Sequence, residues 1–505
     1  MQGAKLNSFN KWLITITVML AAMIEIIDTT IVNVVLHDMA GALGASTEEI
    51  TWVVTSYIVA AAIFMPLTGF LVNLIGRKKL LILNITGFMI ASMLCGFSTS
   101  LTEMIAFRVL QGIFGASLVP LSQYILRDTF SLAEQPKAMA VWGVGIMAAP
   151  VLGPTLGGYI ADYMNWRWIF YINVPVCLIA LVMTFTFISE TQTKHAKVDW
   201  TGLIVLVVAV GALQIFLDRG NTDDWLSSNF IFILMVIWII GWCVFIYRGM
   251  TNSKNILNLN VFKDRNFAIC NLLLVLYTGA LFGILTLQAV VMESIMGYTP
   301  ELAGLVMAPR GIASAISMIL CVPLSKKIDM RILLGIGIVF SAWGSYDFAL
   351  LPINADFYSL MMPGIVQGFG MGLFFVPLST LALQRLPESM IAEGSGIFSF
   401  ARNLGTSIGV SVMTTVLTQT SQAGWNTMIG HIRDDNPNYH TWLQAFNWHA
   451  SDPLAITVVG QIIAAQSTMI GFINSCYLGM IFLVVSLPFV FFLQKSISTE
   501  ISTAH

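Results

Sequence analysis

Long apolar runs recur along this 505-residue chain so densely that lipid is the only solvent in which it can fold. About 20 predominantly apolar residues are needed to cross a bilayer as a helix. Such runs fall at 12–36, 50–72, 80–97, 102–125, 138–161, 167–188, 200–217, 229–247, 267–291, 302–324, 332–351, 357–382, 394–418 and 469–493. The pattern predicts an all-α polytopic membrane protein with 14 transmembrane helices. Hydrophobic residues make up 57% of the chain and charged ones 10%, well below the share in water-soluble domains. The first run is too long for a cleavable signal core and reads as a retained span.

Lysine and arginine place the ends. Cytoplasmic loops of membrane proteins carry the excess of both. With the N-terminus inside, eighteen of the 24 cations fall on the cytoplasmic side, among them Lys5, Lys11, Arg77, Lys78, Lys79, Lys194, Lys197, Lys254 and Arg331. Arg167, Arg219 and Arg433 fall outside, and Arg108, Arg310 and Arg402 lie within spans. Only an even number of spans keeps this alternation, which puts both termini in the cytoplasm.

Setting the seventh and eighth spans aside exposes a repeat. VLQGIFGASLVPLS (Val109 to Ser122, span four) corresponds to IVQGFGMGLFFVPLS (Ile365 to Ser379, span twelve). LGPTLG (Leu152 to Gly157, span five) corresponds to LGTSIG (Leu404 to Gly409, span thirteen). The expected organisation is 6+2+6: an N-terminal six-helix bundle at 1–195, two linker helices at 196–262, and a C-terminal bundle at 263–505. Duplicated six-helix halves place a binding cavity between them near the midplane, which is a transporter architecture. The C-terminal unit includes a long polar loop on the outer face, 418–467, expected to form a hairpin for partner contact or gating.

Charges inside spans are costly and mark function. Glu25 and Asp28 lie three residues apart, about 60° round one face of span one. Two readings stay open: a carboxyl held neutral by a hydrogen bond and merely facing protein, or a proton-loading site that also attracts cations. Arg108 in span four lies about 9 Å below the outer face and Asp28 about 12 Å, so their depths permit pairing. Gln111, Gly112, Gly115 and Ser122 share its helix face. Arg310 and Arg402 are structural or substrate-facing, while Asp347, near an outer helix end, is expected to be solvated.

Span five carries Gly143, Pro150, Gly153, Pro154, Gly157 and Gly158 along one stripe, a composition suited to kinking and close helix contact at a gate. The loop GFLVNLIGRKK combines Gly69, Asn73, Gly76, Arg77 and Lys78. The six cysteines have no paired spacing and read as small buried apolar residues. No GxSxG, HExxH or Walker motif is present, nor a basic tract able to hold nucleic acid, and His431, His440 and His449 lack metal-ligand spacing. An enzyme, a metal site, a cofactor and a nucleic-acid partner are therefore not expected.

Several of these segments resemble a known family. IDTTIVNVVL (Ile27 to Leu36), GFLVNLIGRKK, RVLQGIFGA (Arg108 to Ala116), APVLGPTLGGYIAD (Ala149 to Asp162), WRWIFYINVP (Trp166 to Pro175) and LQIFLDRG (Leu213 to Gly220) resemble motifs of the major facilitator superfamily. They are most similar to its fourteen-helix drug:proton antiporters of the EmrB type. That resemblance implies a proton-coupled efflux antiporter of the bacterial inner membrane, powered by the proton gradient, with Asp28 as coupling residue, Arg108 as relay and the Gly153-Pro154 region as hinge. It also implies a tripartite pump with a periplasmic adaptor of the EmrA type and an outer-membrane channel of the TolC type. Asn73 stands where the superfamily has an aspartate, and Glu25 lies outside the motif. An importer of small amphipathic solutes or a non-transporting scaffold is the alternative. Glu25 and Asp28 favour lipophilic cations as cargo, and Arg108, Arg310 and Arg402 tolerate acids; Met-rich apolar lining suits either.

Overall fold

A computed structural model describes residues 7–191, 199–251, 259–433 and 435–495. Lys5, Lys194, Lys197 and Lys254, and the expected boundary at 195–196, lie outside them. The described residues are helical, with no strand among them. Among the described residues, thirteen helices are long and apolar enough to cross a membrane. In chain order the long helices are α1 (Ser8–Val34), α2 (Trp52–Ile75), α3 (Arg77–Phe97), α4 (Leu101–Thr129), α5 (Gln135–Tyr163), α6 (Trp168–Phe187) and α7 (Trp200–Arg219). They continue as α8 (Asn229–Thr251), α9 (Arg265–Ser294), α10 (Pro300–Leu324), α11 (Met330–Ala349), α12 (Phe357–Gln384), α13 (Ile391–Ile429) and α14 (Pro453–Val490). The chain is a multi-pass membrane protein. At 39 residues α13 is the longest helix, but it falls short of the other thirteen in apolarity, being rich in Ser, Thr and Gly. It is held instead by protein, packed between α9 and α14.

The helices start where side chains meet free backbone donors. Ser100, Asp199, Asp264 and Thr299 each accept a hydrogen bond from the N–H three residues on, capping α4, α7, α9 and α10. Helix breaks fall inside two spans that periodicity reads as continuous. A 3₁₀ turn at Met65–Leu67, with Pro66 lacking an N–H, interrupts α2. α4 is divided by a turn at Ala116 and Ser117 just below the Arg108 level.

The largest departure from the sequence expectation is at 418–467. Most of that stretch is not loop: α13 runs on to Ile429, α14 starts at Pro453, and a short helix, Pro437–Ala445, lies between. Its polar residues allow helix in water as readily as loop. The projection carries its own core of Tyr439, Leu443, Ala455, Val459 and Ile463, with Trp425, Trp442 and Trp448 packed on it.

α1 packs on α5 and α6, α2 on α4, and α3 on α4 and α6. In the second part α11 packs on α12, α10 on α12, and α13 on α9 and α14. The two parts meet along α5 and α10 and, through α13, against α4 and the inner turns of α2. α7 wedges between α2 and α13: Gln214 donates to Ser407 (2.7 Å), Ser411 donates to the Leu217 carbonyl (2.7 Å), and Asp218 accepts from Thr55. α8 rests chiefly on α7, touches α13 through Trp242 and Phe400, and shows most of its surface outward. Cys243 is consequently exposed, against the expectation that all six cysteines are buried; the other five are.

Candidate functional site

The apolar character of α1 leaves Glu25 and Asp28 as its only acidic side chains, and both are buried. Asp28 is fully enclosed. Its Oδ2 accepts from Arg108 Nη1 at 2.5 Å, and its Oδ1 accepts from Gln111 Nε2 at 2.8 Å and Asn173 Nδ2 at 2.9 Å. Asn173 also donates to Ser92, whose hydroxyl donates to the Phe170 carbonyl. Arg108, likewise fully enclosed, donates through Nη1 to Gln111 Oε1 (2.8 Å) and through Nε to the Val53 carbonyl (3.0 Å). Its guanidinium lies over Tyr57, 4.3 Å from the ring centroid. One carboxylate on α1 thus gathers donors from α4 and α6, and its counter-ion ties in α2. Its charge survives away from water because cation and amides together meet both oxygens.

The depth argument for Asp28 and Arg108 therefore ends in contact. Asn173, Ser92 and Tyr57 were not anticipated. The signal was present in the sequence: Asn173 is a lone amide one turn into an otherwise apolar span, where a polar group requires a partner.

Glu25 stands apart from that network. It is 6% exposed, and its Oε2 is buried without a hydrogen-bond partner. The half-buried Arg402 on α13 acts on it electrostatically without contact. Arg310 is in the second part, donating to Gln288 at 2.6 Å. Glu25, Arg310 and Arg402 are not gathered on Asp28. Asp347, near the end of α11, is partly exposed and bonded to the exposed Trp343.

The stripe on α5 divides. A Cβ on Gly153 would run into the Thr30 side chain and the Ile31 amide, and one on Gly157 would press on Ile31 and Val34, so both glycines let α5 lie directly on α1 next to Asp28. A Cβ on Gly143 would meet Met318 of α10. Gly158 differs, since nothing lies within 4 Å of where its Cβ would stand. Pro150 and Pro154 sit within this one helix.

At the cation-rich end, Gly76 takes φ +86° and turns the chain from α2 into α3. Arg77 follows, donating to Asp128 at the end of α4, to the Ser189 carbonyl (3.1 Å) and to the Ser189 hydroxyl (2.7 Å). Lys78 donates to the Phe185 carbonyl at 2.8 Å. Asn73 is half-buried and brings no charge; Asp128 is the acid that Arg77 meets. A Cβ on Gly69 would strike the Glu393 backbone at the start of α13, and Gly396 lies against the Met65 and Pro66 carbonyls. Ser399 bonds Gln123 at 3.5 Å, and Trp142 stacks on Phe375. The two parts are therefore in direct contact on the side of Arg77 and Lys78.

A polytopic helical array with a duplicated motif and a buried acid–arginine centre is the construction of a secondary transporter. Residues 18–410 match the Major Facilitator Superfamily, and the chain belongs to that family of transporters. It is 38% identical over 471 residues to the multidrug export protein EmrB of Escherichia coli (strain K12), covering 90% of this chain and 91% of that one. It is 35% identical over 480 residues to the fatty acid resistance protein FarB of Neisseria gonorrhoeae, covering 94% and 95%. The solved proton:xylose symporter XylE has the same fold: TM-score 0.61, 14% identity, 95% of this chain and 96% of that one.

Proposed function

We propose that the chain exports amphipathic, drug-like molecules across a bacterial inner membrane in exchange for protons. It alternates access between the six-helix halves α1–α6 and α9–α14, with α7 and α8 as the linker pair. The observation that carries the reading is the fully enclosed Asp28–Arg108 pair. A proton reaching Asp28 cancels the charge that holds Arg108, leaving a buried cation with no counter-ion, met only by Gln111, the Val53 carbonyl and aromatic rings. An unpaired charge in a dry interior is strongly unfavourable, so the donors around Asp28 must rearrange. α1 lies directly on α5 through Gly153 and Gly157, and α5 faces α10 of the other half, so a shift of α1 reaches the interface between halves.

Export rather than import is favoured by the relative named as a multidrug export protein, which is similar over nine-tenths of both chains. The proton gradient is the energy source, with no resident cofactor. An adaptor of the EmrA type and a channel of the TolC type complete a tripartite pump in this reading, and the projection above α13 and α14 offers a helical surface for the adaptor.

Everted vesicles test the reading. An imposed pH gradient should drive uptake of tetraphenylphosphonium, and collapsing the gradient should stop it. Asp28→Asn should abolish that uptake, as should Asp28→Asn combined with Arg108→Gln, which removes the proton site while restoring charge balance. Normal gradient-driven uptake by either variant would refute the coupling role.

A further inference from the structure

The aligned repeats put Gln111 opposite Gln367, Gly112 opposite Gly368, and Arg108 opposite Gly364. The second half thus lacks an arginine at the matching position of α12, yet a guanidinium is there. Arg310 reaches across from α10, its Nε and Nη2 lying 3.7 and 3.8 Å from where a Gly364 Cβ would stand. Gly368 lets the Arg310 backbone lie directly against α12, which fixes the side chain at its root. Arg310 lies about 12 Å in from Leu302 by helix rise, the depth of Asp28. Each half therefore buries one arginine beside the repeated glutamine, Arg108 about 9 Å and Arg310 about 12 Å in.

The halves differ in what meets the charge. On the first helix of the N-terminal half stands Asp28; on the first helix of the C-terminal half the side chain that meets Arg310 is a neutral amide, Gln288. Arg310 is only 7% exposed, and its Nε and Nη1 are buried without an acceptor. No described carboxylate pairs with it: Asp347 on the neighbouring α11 is bonded to Trp343, and Gln367 donates to Ser345. The Phe348 ring lies 5.4 Å from the guanidinium carbon, and a small cavity beside it is lined by Leu281, Phe282, Leu285, Arg310, Gln367 and Met371. A buried arginine with two unmet donors, beside an aliphatic and aromatic crevice of about 20 Å³, is complementary to an anionic head on an apolar tail, which enters as the crevice widens.

We propose that Arg310, with Gln288, is a binding subsite for the acidic head of amphiphilic monoanions, supplying from the ligand the carboxylate that the N-terminal half supplies as Asp28. The subsite rests on the transporter reading for its purpose, while its existence is a question of binding alone. Two N–H donors of one guanidinium take the two oxygens of a carboxylate, and Leu281, Phe282, Leu285 and Met371 receive the first carbons of the tail.

The test is binding of dodecanoate to the purified full-length chain in nanodiscs of neutral lipid, which needs no gradient and no transport. Wild type should bind dodecanoate saturably and at least tenfold more tightly than uncharged methyl dodecanoate. Arg310→Gln should lose at least tenfold in affinity and Arg310→Lys less. Gln288→Glu should lose as much as Arg310→Gln while raising the melting temperature, because the new carboxylate occupies the guanidinium from inside. A merely structural arginine would gain the stability without the loss of binding, and that result overturns the proposal, as does equal binding of acid and ester. If the substitutions prevent folding, a diazirine-bearing dodecanoate should label wild type on α9 or α12 around Leu281–Leu285 and Met371; labelling confined elsewhere overturns it. Displacement of dodecanoate by phosphatidylglycerol and not by phosphatidylcholine supports the same monoanion site with lipid as its source; resistance to both assigns it to free acids. Failure of the vesicle experiment with intact dodecanoate binding would sink the antiport reading and leave this site standing.

Discussion

Asp28 and Arg108 show how little of a buried pair's behaviour is symmetric. Asp28 can shed its charge by taking a proton, whereas an arginine remains charged at any physiological pH. Asp28→Asn strands Arg108 as an uncompensated cation and should cost about 3–5 kcal/mol of stability. Arg108→Gln should cost less, since Asp28 then takes up a proton. The double variant should recover part of the Asp28→Asn loss. Chemical unfolding in detergent, followed by near-UV dichroism, measures all three, and a double variant as unstable as the sum of the singles would exclude direct coupling. The pairing was legible from depth in the sequence, because helix rise converts residue counts into ångströms. That Asn173 needs a partner was legible too, but that the partner is Asp28, and the parts of Ser92 and Tyr57, were not, because which face of α2, α3 or α6 turns toward Asp28 depends on helix rotation, and these all-round apolar helices give no periodicity to set it.

Among the elements, α5 carries the clearest separation of composition from role. Its glycines look alike in the sequence, but Gly153 and Gly157 are the points where α1 rests, and Gly158 meets open space. Gly153→Ala should destabilise by about 1–3 kcal/mol through overpacking against Thr30 and Ile31. Gly158→Ala should change stability by less than about 1 kcal/mol, the loss of glycine's backbone freedom in the unfolded chain being favourable. Thermal unfolding of the two variants side by side decides the matter; equal losses would show that the stripe acts as a whole. The extended α13 and α14 teach the converse. Polar residues from Thr418 onward suggest loop when hydropathy is the only guide, yet helix continues wherever side chains permit it, and Tyr439, Leu443 and Val459 give the projection a core.

For the whole molecule, contact between the two parts near Arg77, Gly69 and Glu393 closes the cation-rich side. Alternating access requires that closure to open. Thr68→Cys with Gly396→Cys would put two Cβ atoms 3.5 Å apart across this contact, within disulfide reach, and oxidation should stop gradient-driven uptake in everted vesicles while dithiothreitol restores it. Full uptake by the cross-linked protein would mean that this contact does not separate during the cycle.

Residue order along the chain was enough to set the membrane as solvent, the apolar runs, the repeat, and the matching depths of Asp28 and Arg108, because each depends only on length, polarity and helical rise. Contact depends on more. That α7 wedges between α2 and α13, that Gly153 but not Gly158 bears on α1, and that Arg310 fills the place opposite Arg108 with no carboxylate among the described residues to meet it were decided by how the helices rotate and pack. Rotation and packing are settled by the fit of many side chains at once, and no single stretch of sequence contains that fit.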